Sequence, residues 1–401
     1  MSAIFLSRNA RLLVEFGSSG SKFEIPILEG FSFSQSMNTA EVTLSEATRS
    51  GVSRRGRKLF NNSLAPVEFS FQTYVRPFKG AGDSSNTGHM HDTSGMGLAV
   101  EAPLWAMFAG ADTYDGASDL KPFDRTGDNA GDVITSTQQN NTTTAATMTV
   151  DFDKSDVPQL KTDVSLIFEI EEEDGAGVLT YTIAEAVLNE CTIDFDIEGI
   201  ATLSWSGMGK SITEGSSAIV ADVDEGTGIG TAKAAPFIQN RLSTVTVAHA
   251  SGHATFLTAY NLTLTGGSIT MSNNITYLTP EEIGRVNSPI GHVTGTRNVT
   301  GTLTCYLDNA SGGSADLFED ISLTTTDITN TFDLGINVGG TTGPAVTFNV
   351  DQANLQIPAH SFDDVVSVEV TFDGLPSTMS AANEVQVVYK NSGTKLAAKG
   401  S

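Results

Sequence analysis

Three short stretches carry residue types that could do chemistry. In GHMHDTSGMG (88–97), His89, His91 and Asp92 offer the imidazole and carboxylate groups that hold transition metals. The candidate ligands are crowded together in sequence, and no Cys/His pair elsewhere completes a metal-binding spacing, so the stretch reads as a surface loop. GMGKSI (207–212) resembles part of a phosphate-binding loop. That motif needs a glycine five residues before Gly209, where Ser204 stands, and a following helix whose N-terminus meets the phosphate. Here an acidic, glycine-rich segment follows instead. DVDEGTG (222–228) opens like a calcium loop, yet its twelfth position is Lys233 rather than a bidentate Glu. Six scattered histidines without a matched Ser or Cys give no nucleophilic triad. Carboxylates are plentiful, but no pair can be singled out as a glycosidase would require. The expectation is a protein that is not an enzyme and needs neither cofactor nor metal.

A fourth stretch carries charge rather than catalytic groups. RSGVSRRGRK (49–58) gathers Arg49, Arg54, Arg55, Arg57 and Lys58 in a chain with 22 Lys+Arg against 47 Asp+Glu. A net charge of -25 repels nucleic acid, and the loop has no interleaved aromatic residues on which bases could stack. A solvated basic loop and a nucleic-acid contact are the weaker readings. The favoured one is contact with an acidic surface of another copy, steering assembly.

The elements around these stretches are strands. NVTGTLTCYLDN (298–309) alternates Val299, Gly301, Leu303, Cys305 and Leu307 with Thr300, Thr302, Thr304, Tyr306 and Asp308, the period of a strand with one face on a core and one in water. PVEFSFQTYVRP (66–77) repeats it: placing Tyr74 on Tyr306 sets Val67 on Val299, Phe71 on Leu303 and Val75 on Leu307, with Phe69 on the same apolar side. The flanks repeat in order. NARLLVEF (9–16) resembles NRLSTVTV (240–247), and LEGFSFSQSMNTAEVTL (28–44) resembles LTGGSITMSNNITYL (264–278). APLWAMFAG (102–110) pairs with SADLFEDIS (315–323), setting Leu104 and Trp105 on Leu317 and Phe318. Residues 184–209 lie on 351–376 without a gap, Gly207 on Gly374.

Five collinear matches imply two copies of one domain. The boundaries are 1–209 and 238–390, with a linker at 210–237 and a tail at 391–401. Each copy is expected to be mainly β (α+β), a sandwich or half-barrel with one covering helix. Cys191 and Cys305 fall in strands and read as reduced core thiols. The N-terminus lacks a signal-peptide core and no apolar run could span a bilayer, so synthesis in a cytoplasm and no membrane partner are expected.

NNITYLTPEEIGRVNSPIGHVTGTRNVTGTLTCYLDN (273–309) closely resembles tail tube proteins of long, flexible-tailed siphophages whose subunit carries a duplicated domain. LSRNARLLVEF, RRGRKLFNNSLAPVEFSFQTYVRPF and TLSWSGMG match the same family in order. The resemblance implies trimeric, pseudo-hexameric rings stacked into a tube with a continuous β-barrel wall. It implies a tape-measure protein in the lumen, tail terminator and tail-tip or baseplate partners, and passage of double-stranded DNA without specific binding. An acidic surface-layer or adhesin protein is the alternative. It would predict a secretion signal and repeated calcium loops, which the sequence lacks.

If the basic loop makes the contact between rings, Arg54→Glu, Arg55→Glu and Arg57→Glu together should leave folded subunits but abolish long tubes. Negative-stain microscopy reads the outcome, and unimpaired tube growth rejects the assignment.

Overall fold

The structure is a computed structural model describing residues 5–17, 22–42, 58–76, 99–110, 134–136, 146–152, 164–173, 177–196, 199–220, 238, 240–249, 257–283, 286–322, 331–339, 345–362, 365–379 and 381–391. Its first half begins with β1 (Phe5–Phe16) and β2 (Lys22–Ile25), then the long pair β3 (Ser32–Val42) and β4 (Lys58–Tyr74), then helix α1 (Ala102–Ala109). Short β5 (Ile134–Ser136) and β6 (Ala146–Asp151) lead into β7 (Val164–Glu172), β8 (Val178–Ala184), β9 (Val187–Asp196), β10 (Thr202–Gly209) and β11 (Ser211–Gly215). The second half opens with β12 (Thr244–His249), β13 (Tyr260–Asn261), β14 (Leu264–Ser272), β15 (Thr276–Leu278), β16 (Gly291–Val293) and β17 (Asn298–Tyr306). Helix α2 (Ser314–Ser322) follows, then β18 (Phe332–Val338), β19 (Ala345–Leu355), β20 (Ala359–Phe362), β21 (Val366–Gly374) and β22 (Gln386–Asn391). The chain is mainly β, as the alternating sequence predicts.

The same pairing order occurs in both halves. β1 lies between β2 and β7, and β8 between β7 and β11; β12 lies between β13 and β18, and β19 between β18 and β22. The order β3-β4-β10-β9 is matched by β14-β17-β21, whose last neighbours are β20 and the end of β19. One ladder joins the two sets: β14 pairs with β9 from Gly266↔Asp196 to Ser272↔Glu190. The result is a single long wall, read across as β20-β21-β17-β14-β9-β10-β4-β3.

Register tests the repeat strand by strand. Ser70↔Ser206 in β4–β10 matches Thr302↔Thr371 in β17–β21, which keeps Tyr74 on Tyr306. Leu188↔Gly207 on one side and Leu355↔Phe372 on the other keep Leu188 on Leu355 but move β10 by two positions. Gly209, not Gly207, therefore takes the place of Gly374. The cause is local: β9 and β10 are joined by 197–201, whereas β20 and β21 are joined by the shorter 363–365. A second difference lies at 211–215. The sequence places these residues at the start of the linker, but they form β11 and ladder with β8. Residues 221–237 lie outside the described residues.

The wall buries one face. Val67, Phe69, Phe71, Leu203, Trp205, Cys191, Ile193, Ile269, Met271, Val299, Leu303, Cys305, Val370 and Phe372 point into the core. Glycines in this face make room for rings on the neighbouring strand. A Cβ on Gly207 would stand 2.6 Å from Phe69 Cζ, and one on Gly301 2.6 Å from Phe372 Cε1. Leu307, assigned by alternation to the apolar side, lies just past the end of β17 and is exposed, because the pleat that would have turned it inward stops at Tyr306.

Helix α1 starts at a Pro-containing first turn and ends at Gly110 in the left-handed conformation (φ 83°), whose N–H donates to Ala106 O. Apolar on every side, it is buried on every side, between β9 on one face and β5 and β6 on the other. Trp105 packs edge-on against Trp205 at 4.9 Å. Its Nε1–H donates to Tyr389 Oη at 2.8 Å, linking the first half to the last strand. β6 also ladders with β22, Met148 opposite Tyr389, so the halves interleave behind the wall. Helix α2 is amphipathic instead. Leu317 and Ile321 are buried one turn apart, but Phe318, the counterpart of Trp105, is only half-buried, edge-on to His360.

A polar knot closes one end of this interleaved region. Asn273 donates to Phe108 O (2.9 Å) and Leu188 O (3.2 Å) and accepts from Arg297. Arg297 pairs with Glu384 at 3.6 Å and stacks over Phe152 at 4.8 Å. Burial lowers the Arg297 pKa, while Glu384 opposes that shift.

Trp105→Phe keeps the ring packing but removes a buried donor. It should cost about 1–2 kcal/mol, read as a lower urea midpoint of the purified subunit.

Candidate functional site: the polar face of the long wall

The opposite face of the wall is built by the intervening residues of the same strands. β3 presents Ser32 and Ser34, β4 Glu68, Ser70 and Gln72, and β10 Ser204, Ser206 and Met208. β9 presents Glu190, Thr192, Asp194 and Asp196; β14 presents Ser268, Thr270 and Ser272. β17 supplies Thr300, Thr302 and Thr304, and β21 Ser367, Glu369, Thr371 and Asp373. The registers place all of these on one side, and each is half-buried or exposed.

Hydroxyls pair across this surface. Ser32 and Ser70 Oγ lie 2.9 Å apart, Thr192 and Thr270 Oγ1 3.0 Å, and Ser268 Oγ and Thr302 Oγ1 3.2 Å. Gln72 Nε2 donates to Ser204 Oγ at 2.9 Å. Thr–Thr and Ser–Thr pairs of this kind stabilise neighbouring strands and hold short side chains flat. The Thr192–Thr270 bond spans the ladder between halves.

The charge on this face has one sign. Glu68, Glu190, Asp194, Asp196, Glu369 and Asp373 stand on it, and none of the residues named above is a lysine or arginine; Lys58, opposite Val42 where β4 begins, is the one Lys or Arg in the wall's described strands. Several cations are held elsewhere, beside carboxylates. In and beside a second, five-stranded sheet, β11-β8-β7-β1-β2 (the outer sheet), Arg8 pairs with Glu173 (2.7 Å), Lys22 with Glu15 (3.1 Å) and Arg11 with the buried Glu169. Lys210, just beyond β10, pairs with Glu185. These carboxylates do not stand out in the sequence, because each is an ordinary polar position of an alternating strand. Only the ladder brings them onto one surface.

The residues named from sequence separate into groups. Val67, Phe69, Phe71, Val299 and Leu303 are buried behind the wall, while Tyr74 and Tyr306 belong to its polar side near one rim. Leu104, Trp105 and Leu317 are core anchors. Lys58 is exposed at the start of β4, beside exposed Leu59 and Phe60; Arg49, Arg54, Arg55 and Arg57 lie outside the described residues. His89, His91 and Asp92 lie outside them too. Among the described residues no group of His, Cys, Asp and Glu is arranged to hold a metal, and no helix is long and apolar enough to cross a membrane.

The comparisons with known proteins bear on what such a wall is for. A family model described as phage tail tube protein matches residues 79–374. The tail tube protein pb6 of Escherichia phage T5 is 27% identical over 402 residues, covering 97% of this chain and 76% of that protein.

The two thiols report which face is inside. Burial pushes Cys191 well above the usual thiol range and Cys305 up to about 11. At pH 8 neither should react with a thiol reagent until the subunit is denatured. Thr192→Cys, one residue from Cys191 on the polar face, should react in the folded subunit within minutes.

Proposed function

The chain belongs to the phage tail tube protein family, structural components of the virion, and from that premise we propose that it polymerises as stacked rings of three chains into the hollow tube that conducts phage DNA. In this reading each chain supplies two sister domains, 1–209 and 238–390, so that three chains make a pseudo-sixfold ring. The repeated pairing order supports that, as does the β14–β9 ladder, which already lays one four-stranded unit beside another in a single wall.

The observation that carries the reading is the chemistry of the polar face. A bore lined by these hydroxyls and carboxylates, with Lys58 at the far start of β4 the one Lys or Arg among the wall's described laddered residues, offers DNA phosphates little ion pairing and little counterion release. Short side chains tied to their neighbours give a smooth, hydrated surface. With a charge of -25 per chain, the genome would slide rather than stick. The apolar face turns away from the bore, towards the helices and outer strands.

A tape-measure protein inside the tube, and terminator and tip proteins at its ends, are the partners such a conduit needs. The basic loop at 49–58, with exposed Lys58 at its base, is the candidate contact between successive rings. The reading as a secreted surface-layer or adhesin protein is not favoured, because the matched family builds virion tubes.

Glu68→Lys, Asp194→Lys and Glu369→Lys together change exposed positions only, and tubes should still form. End-on microscopy should count three chains per ring in both forms. Tubes of the variant should retain double-stranded DNA fragments, releasing them as salt rises, while the unaltered tubes retain none. Six chains per ring, or equal DNA retention by both, overturns the corresponding part of the proposal.

A further inference from the structure

Two strands of the wall have an unpaired outer edge among the described residues: β3 at one side and β20 at the other. Their surroundings differ from those of the matching strands inside the chain. On β9, Phe195 is 4% exposed, because β14 lies against it and a Cβ on Gly267 would stand 2.7 Å from Phe195 Cζ. Phe362 holds the matching place on β20 and is 79% exposed. Beside it His360 stacks on Phe362 at 6.2 Å, and half-buried Phe318 meets His360 edge-on. Their first-half counterparts, Ile193 and Trp105, are buried. A strip of rings on the core side of β20 thus lacks the cover that β14 gives β9.

β3 has the complementary features. It is the first-half counterpart of β14, since Ser32↔Ser70 matches Ser268↔Thr302. Phe31 stacks on Phe168 at 5.3 Å with one side in the core and remains only half-buried. A polar edge with open N–H and C=O groups and a half-covered ring is a surface for strand addition.

We infer that β3 of one chain adds to β20 of a second copy, in the register that β14 and β9 use within the chain. The ladder Ser268↔Asp194 transfers through the matched pairs Asp194↔Thr202 and Ser361↔Ser367. It sets Ser32 opposite Ser361 of the partner subunit, Ser34 opposite Ala359 of the partner subunit, and Phe31 opposite Phe362 of the partner subunit. The contact is heterologous: β3 meets β20, never β3. That is the geometry that closes a ring instead of a two-fold dimer. The inference rests on the self-assembly proposed above and specifies which edges meet and how.

Cysteines on opposed strands fall within disulfide reach in either type of antiparallel pair. Ser32→Cys and Ser361→Cys should be made singly in the full chain, mixed before assembly, oxidised mildly and run on a denaturing, non-reducing gel. The mixture should give covalent dimers and each variant alone none; the double variant should give covalent multimers. Gln72→Cys mixed with Ser361→Cys, one strand further in, should stay monomeric. Rings in the microscope without a Ser32–Ser361 cross-link overturn the edge and register but leave the tube reading standing. A dimer from Ser32→Cys alone overturns the heterologous contact. An unaltered chain that never assembles overturns both.

Discussion

Every backbone N–H and C=O in a sheet needs a partner, and the ladder between β14 and β9 is where this protein meets that demand across its two halves. Without it each half would expose two strand edges. With it the wall becomes continuous, and only one edge at each side is left over. The same ladder fixes the faces. Because side chains alternate, one register puts Ile269, Met271, Cys191 and Ile193 inside together and Thr270, Ser268, Thr192 and Asp194 outside together. A one-residue slip would exchange them, placing hydroxyls in the core. Hydrophobic burial therefore specifies the polar surface as strictly as it specifies the core.

Much of this was legible in the chain's own pattern, because period-two alternation is a local signal. The alternating strands that end at Tyr74 and Tyr306, the thiols in the core and the helix anchors Leu104, Trp105 and Leu317 all follow from residues a few positions apart. What was not legible depends on length and neighbours. Leu307 continues the alternation by type, but the strand ends before it. Phe318 copies Trp105 in sequence and not in burial, since only α1 is roofed by β5 and β6. The offset at Gly374 comes from a turn two residues shorter, which a gapless comparison cannot see. Ser211–Gly215 looks like linker because its five residues carry no apolar alternation; it is a strand only because β8 presents an edge to it. The acidic, hydroxyl-rich face is the extreme case. It is a property of eight strands side by side, and no single segment announces it.

The basic residues illustrate a division of labour within an acidic chain. The described outer sheet pairs Arg8, Arg11 and Lys22 with nearby carboxylates, while Arg297 is drawn inside to pair with Glu384 and cover Phe152. The exposed pairs contribute little to stability. Their placement matters more than their energy, because it leaves the wall's laddered face anionic.

The interleaving of β6 with β22 and the bond from Trp105 to Tyr389 have a consequence for biosynthesis. A ribosome delivers α1 long before it delivers Gln386–Asn391, so the nascent first half emerges with its most apolar helix lacking part of its roof. Completion of that half waits on a strand of the second half, which is translated long after α1. Polypeptides released early would carry a sticky, half-thatched core, and only finished chains would enter the pool from which a virion is built.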